Sequence, residues 1–189
     1  MLYEWRTYSF RPGQAVRYLE AFRKEGLPLV TRHLPMLGYW LTDAGRLNLL
    51  HHLWVYRDLD DRAACRMTLG ADTEWVSGFW PGAAAMVEAQ ETWFLSLETG
   101  SPELEAAVAG ARGVREAPPG ELFAPGMAMV EFGGTGEPLA GSVATWRVVA
   151  GERPGTRVGL ARWPGLPPSL PEGSAERREM MRTCAFSPL

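Results

Sequence analysis

The chain has 189 residues, 46% of them apolar, and a formal net charge of −3, which makes one ordinary domain or two small ones with enough length to bury a core. Nineteen basic residues against 22 acidic, with no basic run, leave no electrostatic footprint for nucleic acid. No run of ~18 apolar residues is present to span a membrane, and two cysteines, Cys65 and Cys184, make neither a disulfide framework nor a zinc knuckle.

Leu2 to Phe10 is rich in aromatic and β-prone residues and meets Arg11-Pro12-Gly13, which predicts a strand ending in a turn. Ala15, Val16, Leu19 and Phe22 follow at helical spacing. Gly26 breaks that helix, and Pro28 suits the start of a short continuation through His33. Leu37 to Thr42 and Leu47 to Tyr56 are strand-like and are joined by the turn Asp43-Ala44-Gly45-Arg46. Asp58 can cap a helix carrying Leu59, Ala63 and Met67. Asp72 can cap another, with Trp75 and Phe79 four apart and aimed at the main helix near Phe22 or at the layer formed by Trp5 and Leu53. Gln90 to Leu97 is a further strand. The order β-α-β-β-α-β is the ferredoxin-like pattern of an α+β fold.

The remainder differs in composition. Residues 99–189 hold 14 of the 21 Gly and 11 of the 15 Pro, so the chain divides into 1–98 and a Gly/Pro-rich 99–189. Ser101-Pro102 caps a helix with Leu104, Ala107, Val108 and Ala111 on one side. Met127–Phe132, Val143–Ala150 and Arg157–Trp163 read as strands and Ala175–Arg182 as a helix, with Glu176 to Glu179 on its solvated side. This order echoes the first half with its first helix missing, a possible degenerate ferredoxin-like repeat.

In order along residues 2–98 stand Tyr3-Glu4-Trp5-Arg6-Thr7-Tyr8, Arg11-Pro12-Gly13, Glu25-Gly26-Leu27-Pro28, Arg32-His33, Gly38-Tyr39-Trp40, Gly45-Arg46-Leu47-Asn48 and His52-Leu53-Trp54-Val55-Tyr56. Arg62, Asp72 and Glu74-Trp75 complete the set, which resembles the NIPSNAP family. The resemblance implies a dimeric α/β barrel, two ferredoxin-like sheets facing each other. That superfamily includes cofactor-free monooxygenases, isomerases and haem-binding enzymes, along with members of no established chemistry, among them most NIPSNAP proteins. The barrel is expected to close against a second chain in a homodimer, or against residues 99–189 in an intrachain pseudo-dimer. Glu4 and Arg6 stand where a signal peptide needs an apolar run, and nothing resembles a transit peptide, so a cytoplasmic location is expected.

Strand alternation sorts the candidate site residues. Glu4, Arg6 and Tyr8 share one face of the first strand, and Asn48, His52, Trp54 and Tyr56 share one face of the third. The aliphatic set Leu49, Leu53 and Val55 is assigned beneath the helices. Arg6, Tyr8, Asn48, His52, Trp54 and Tyr56 then face the barrel interior, with Trp40 as a further wall. There His52 could act as a base and Arg6 as the anchor of a carboxylate, around a small flat aromatic or carboxylate ligand. Equally, His52 could be a satisfied interior histidine, Arg6 a partner for Glu4, and the aromatics plain packing. His51 and His52 point to opposite faces and cannot jointly hold a metal; neither a metal nor a cofactor is implied. Gly133-Gly134-Thr135-Gly136 has no lysine and reads as a surface turn. Ser142, Ser169 and Ser174 lack a nucleophile-elbow setting. The functional readings are ligand binding without a known reaction, cofactor-free monooxygenation or isomerisation, and a non-catalytic interaction module.

Overall fold

A computed structural model describes residues 1–167 and 174–189; Ser169 lies outside them. The strands are β1 (Leu2–Phe10), β2 (Met36–Ala44), β3 (Leu49–Tyr56), β4 (Val87–Gly100), β5 (Met127–Phe132), β6 (Ser142–Ala150), β7 (Arg157–Trp163) and β8 (Arg177–Thr183). Helices α1 (Gln14–Ala21) and α2 (Leu27–Thr31) are joined by a π-helical turn, Phe22–Gly26. Helix α3 (Leu59–Ala71) leads through a second π turn, Glu74–Phe79, into α4 (Trp80–Ala84), and α5 (Pro102–Ala109) follows β4. The caps are those expected. Asp58 accepts from the Asp61 amide at 2.8 Å, Asp72 from Glu74 at 3.0 Å, and Ser101 from Leu104 at 3.3 Å.

The eight strands form one closed barrel in the order β1-β3-β2-β8-β5-β7-β6-β4. The first half contributes the ferredoxin-like order 4-1-3-2. Numbered within the second half, β8-β5-β7-β6 repeats it. Two seams, β4 with β6 and β2 with β8, join the halves. The barrel thus closes within one chain, the intrachain pseudo-dimer of the two expected closures, and not against a second chain. The second sheet also departs from the reading of residues 175–182 as a helix: Arg177–Thr183 is a strand. It carries no helix between β5 and β6 and needs little cover, because its outer side bears ion pairs such as Arg178 with Glu131 at 2.6 Å and Arg147 with Glu98.

The odd-numbered face of β1 and β3 points inward. Trp5 stacks on Trp40 at 5.6 Å and 4° and meets Phe132 of β5, the strand across the barrel, at 6.3 Å. Tyr3 contacts Trp146 at 5.7 Å. Leu53, Val55, Val130 and Met181 fill the space between. Leu104 of α5 and Leu189 join this cluster at the end where β4 finishes and β2 begins, and so plug that end.

The even-numbered face lies beneath the helices, the reverse of the expected assignment. Tyr8, His52, Trp54 and Tyr56 pack with Tyr18, Phe22 and Leu19. The reason is that β3 is buried on both faces along its whole length, so alternation carries no sign of which face is the interior. Arg6 pairs with Glu4 at 3.2 Å, and Arg62 and Arg66 of α3 clamp the same carboxylate at 2.8 and 3.0 Å. Burial raises the Glu4 pKa, but the Arg62 hydrogen bond and the three guanidinium charges outweigh it and hold it at about 2. His52 accepts from Trp54 Nε1 at Nδ1, 2.7 Å. Tyr39 stacks on its ring at 4.8 Å and Tyr8 meets it edge-on at 4.6 Å. It is core.

The two π turns interlock through Phe22 and Phe79, 6.1 Å apart. Phe79 meets Phe22 as expected, while Trp75 is half-buried outside it, stacked on Trp80 at 5.7 Å. Gly26 permits the approach. A Cβ there would stand 2.7 Å from Phe79 Cζ and 2.8 Å from the Phe22 ring. Helix propensity alone favours Gly26→Ala by ~1 kcal/mol. Overpacking should reverse the sign and cost about 1–3 kcal/mol in a urea melt, and Phe79→Leu in the same chain should relieve it.

Burial holds the His52 pKa well below its ordinary 6.5, helped by the nearby Arg6 and Arg66 charges. The unfolded chain takes up that proton near pH 6.5 and the folded chain does not. Stability present above pH 6.5 is therefore lost as pH falls, with a slope of up to about 1.4 kcal/mol per pH unit. His52→Gln, which keeps an acceptor for Trp54, should flatten the slope of folding free energy between about pH 6.5 and 5. An unchanged slope would place the acid sensitivity elsewhere.

Candidate functional site

At the end where β1, β2, β5 and β6 finish, the barrel opens into a bowl. The β2–β3 turn reaches over it. Gly45 adopts φ +107°, and a Cβ there would come 2.9 Å from Glu179 Cγ, so this glycine lets the hairpin close down on β8. Arg46 follows and stands between two cavities. One, of about 170 Å³, is lined by Thr7, Ser9, Arg46, Leu49, Gln90 and Glu91. The other, of about 210 Å³, is lined by Trp93, Phe132, Glu152, Arg153 and Arg177, again with Arg46.

The floor between them is a buried polar network. Glu179 and His51 are both fully buried, with His51 Nε2 2.7 Å from Glu179 Oε2. Arg46 Nε donates to Glu179 Oε1 at 3.1 Å, and Arg177 Nε lies 3.3 Å from the same oxygen. Burial pushes the Glu179 carboxyl up, but the His51 hydrogen bond and the Arg177 charge prevail and hold it below its usual range. Burial also pulls the His51 pKa down, against the opposing pull of Glu179. Trp5 Nε1 donates to His51 Nδ1 at 3.1 Å, and Thr7 Oγ1 lies 3.1 Å from the same nitrogen.

The walls of the larger cavity are mostly charged, with Glu152, Arg153, Glu176 and Arg177 around two rings. Trp93 and Phe132 meet edge to face at 5.1 Å. The Arg177 guanidinium lies 3.9 Å over the Phe132 ring, with Nη2 buried and without a hydrogen-bond partner. Trp93 Nε1 donates to Glu91 at 2.8 Å, which fixes one carboxylate oxygen at the rim. Arg153 and Glu176 pair across the outer lip. This bowl has the chemistry to hold a small anion against Arg46, beside the Trp93 ring. His51 itself is not free to act as a base, since both of its nitrogens are engaged.

The residues singled out in the sequence do not gather here. Arg6, Tyr8, His52, Trp54 and Tyr56 lie behind the sheet, under the helices. Trp40 faces the interior but is sealed against Trp5. Asn48 is a turn residue at φ 60°, a conformation asparagine tolerates, and its carbonyl accepts from the Phe10 amide at 3.0 Å. The bowl is built instead by Thr7, Arg46, His51, Glu91, Trp93, Arg177 and Glu179. The period-two spacing of Arg177, Glu179, Met181 and Thr183 was the available signal for β8. Gly133–Gly136 lies in the loop after β5, as a surface turn should. Among the described residues no cluster of His, Cys, Asp or Glu is arranged to hold a metal, and no helix is long and apolar enough to cross a membrane.

Comparison with known proteins fits this architecture. A NIPSNAP domain protein of Burkholderia xenovorans is 36% identical and covers 54% of this chain and 99% of that one, with a TM-score of 0.51. Mouse NipSnap homolog 3B is 38% identical over 90 residues, 47% of this chain and 36% of that protein. Human NipSnap homolog 3A is 33% identical over 93 residues, 37% of its length. The match thus spans little more than a third of these curated relatives. An anthrone oxidase-like protein covers 100% of this chain at 10% identity and a TM-score of 0.51, a likeness of fold alone. The NIPSNAP family model matches residues 3–102, more than half of the 189 residues, and the chain belongs to that family.

Proposed function

We propose that the protein binds a small flat organic acid in the bowl at the barrel mouth, with Arg46 gripping the carboxylate and the flat group lying beside Trp93. The observation that carries this is the position of Arg46: it lines both cavities, its side chain is 54% exposed, and its carboxylate partner Glu179 is shared with His51 and Arg177. A guanidinium whose counter-charge is divided in this way keeps donors for an incoming anion. The packed tryptophans beneath serve as a rigid support.

The reading assigns binding and no reaction. The monooxygenase or isomerase alternative relied on His52 and Arg6, which are packed under the helices away from the bowl. The interaction-module alternative draws support from the filled interior, and the same test separates it. Phenylacetate, followed by the chemical shift of the Trp93 indole N–H, should bind. Arg46→Gln should weaken it roughly tenfold to a hundredfold, the worth of one charge-assisted hydrogen bond of ~1.5–3 kcal/mol. No binding by the unaltered protein, or equal binding by Arg46→Gln, would leave the interaction module as the better reading.

A further inference from the structure

The cluster around Glu4, on the helix side of the first sheet, is short of negative charge. Three guanidinium groups converge on one carboxylate. Arg62 Nη2 and Arg6 Nη1 donate to Glu4 Oε1 at 2.8 and 3.2 Å, and Arg66 Nη2 donates to Oε2 at 3.0 Å. Among the described residues no second carboxylate pairs with any of the three. Two positive charges are thus left unmatched in a partly buried place, where an unpaired charge is costly. Donors are in surplus as well. A carboxylate offers about four lone-pair sites, and three guanidinium groups carry about fifteen N–H donors. Nε of Arg6, of Arg62 and of Arg66 is in each case buried without an acceptor.

The cluster is not sealed. The Glu4 side chain is fully buried, but those of Arg62 and Arg66 are 24% and 28% exposed. These two stand one turn apart on α3 and reach opposite oxygens of the same carboxylate, so their guanidinium groups lie side by side. Beside them runs the outer side of β4. The Phe94 ring lies under the Arg62 guanidinium at 4.8 Å. Thr92 is directly across from Arg6 in the β1–β4 register, so its half-buried side chain projects on the same side. Gln90, exposed, accepts from Arg6 Nη2 at 2.8 Å through Oε1, which leaves its amide NH₂ to donate elsewhere. We propose that this strip between α3 and β4 is a second site, separate from the bowl, for a phosphate group held by Arg62 and Arg66 with Thr92 and Gln90 as further donors. A phosphate dianion carries the two charges that are unmatched, and its oxygens are all acceptors facing a wall of donors. A single carboxylate makes up only half of the deficit. The free ion and a small monoester present the same group to the strip.

The test titrates the whole protein with inorganic phosphate, glycerol 3-phosphate and acetate at constant ionic strength and about pH 7.5, where phosphate is mostly the dianion. The Nε–H signals of Arg62 and Arg66 report this strip, and the Trp93 indole N–H reports the bowl. At least one of the two phosphates should give saturable shifts at Arg62 and Arg66 and bind at least tenfold tighter than acetate; the tighter of the two identifies the free ion or the monoester as the ligand form. Arg66→Gln should weaken that phosphate at least tenfold, read at Arg62. Because Arg66 also clamps Glu4, Thr92→Val is the second variant: it leaves the clamp whole and should weaken binding severalfold. Shifts that rise without saturating, acetate as tight as phosphate, or a phosphate affinity unmoved by both variants overturns the site. Such a result leaves the organic-acid reading of the bowl, followed at Trp93, as it was.

Discussion

A four-stranded ferredoxin-like sheet has two raw edges and one bare apolar face, and the rest of this structure follows from how those are satisfied. The edges are β4 and β2. Left open, each offers unpaired N–H and C=O groups to any other strand. Here β6 pairs with β4 and β8 with β2, so both edges are closed by the same chain. The same pairing covers the bare face: Trp5, Tyr3 and Leu53 meet Phe132, Trp146 and Val130 across the barrel instead of water. The β2–β8 seam also sets the chemistry of the mouth. It brings Glu179 of β8 to His51 of β3, across the intervening β2, and under the Arg46 hairpin. The carboxylate on which the bowl is organised comes from the second half, and most of its partners from the first.

How much of this was legible in the sequence depends on what each residue reports. Caps report local geometry, so Asp58, Asp72 and Ser101 marked helix starts well, whereas Gly26, read as a break, sits in helical backbone where the π turn runs on into α2. Strand faces were not legible. Leu49 to Tyr56 are buried without exception, and neighbours such as His51 and His52 look alike while lying on opposite sides of the sheet. Residue type suggests that aliphatics belong under helices and polar aromatics in a cavity. In fact rings fill both sides, Tyr18, Phe22, Tyr39 and Trp54 under the helices and Trp5, Trp40 and Trp146 inside the barrel, so residue type does not tell the two faces apart. β8 was hidden by its charges. Glu176, Arg177, Arg178 and Glu179 resemble a solvated helix face, yet Arg177 and Glu179 turn inward and are neutralised there. A buried ion network of this kind is visible only once both halves are assembled.

The two buried charge networks serve different ends. Glu4, with Arg6, Arg62 and Arg66, binds α3 to the sheet on the outside of the barrel and opens onto none of the mouth cavities. Breaking one partner of such a cluster is destabilising chiefly because it strands the rest. Glu179, with His51, Arg46 and Arg177, sits at a mouth with open volume on either side. Its hydrogen bonds orient groups that a ligand can meet, Thr7 on one side and Arg46 above. The NIPSNAP-like half thus supplies Thr7, Arg46, His51 and Trp93 to the bowl, and the Gly/Pro-rich half supplies Glu179, Arg177 and Phe132.

The central claim is that one chain closes this barrel, and that the mouth therefore exists in the isolated molecule. The most direct measurement is the dependence of the unfolding midpoint on protein concentration. A barrel closed within the chain gives the same urea midpoint from about 1 to 100 μM, whereas a barrel completed by a second chain gains stability by mass action as concentration rises. A constant midpoint with a single cooperative transition is the predicted result. A midpoint that climbs steadily with concentration would contradict closure in cis and, with it, the assembly of Glu179, His51 and Arg46 within one molecule.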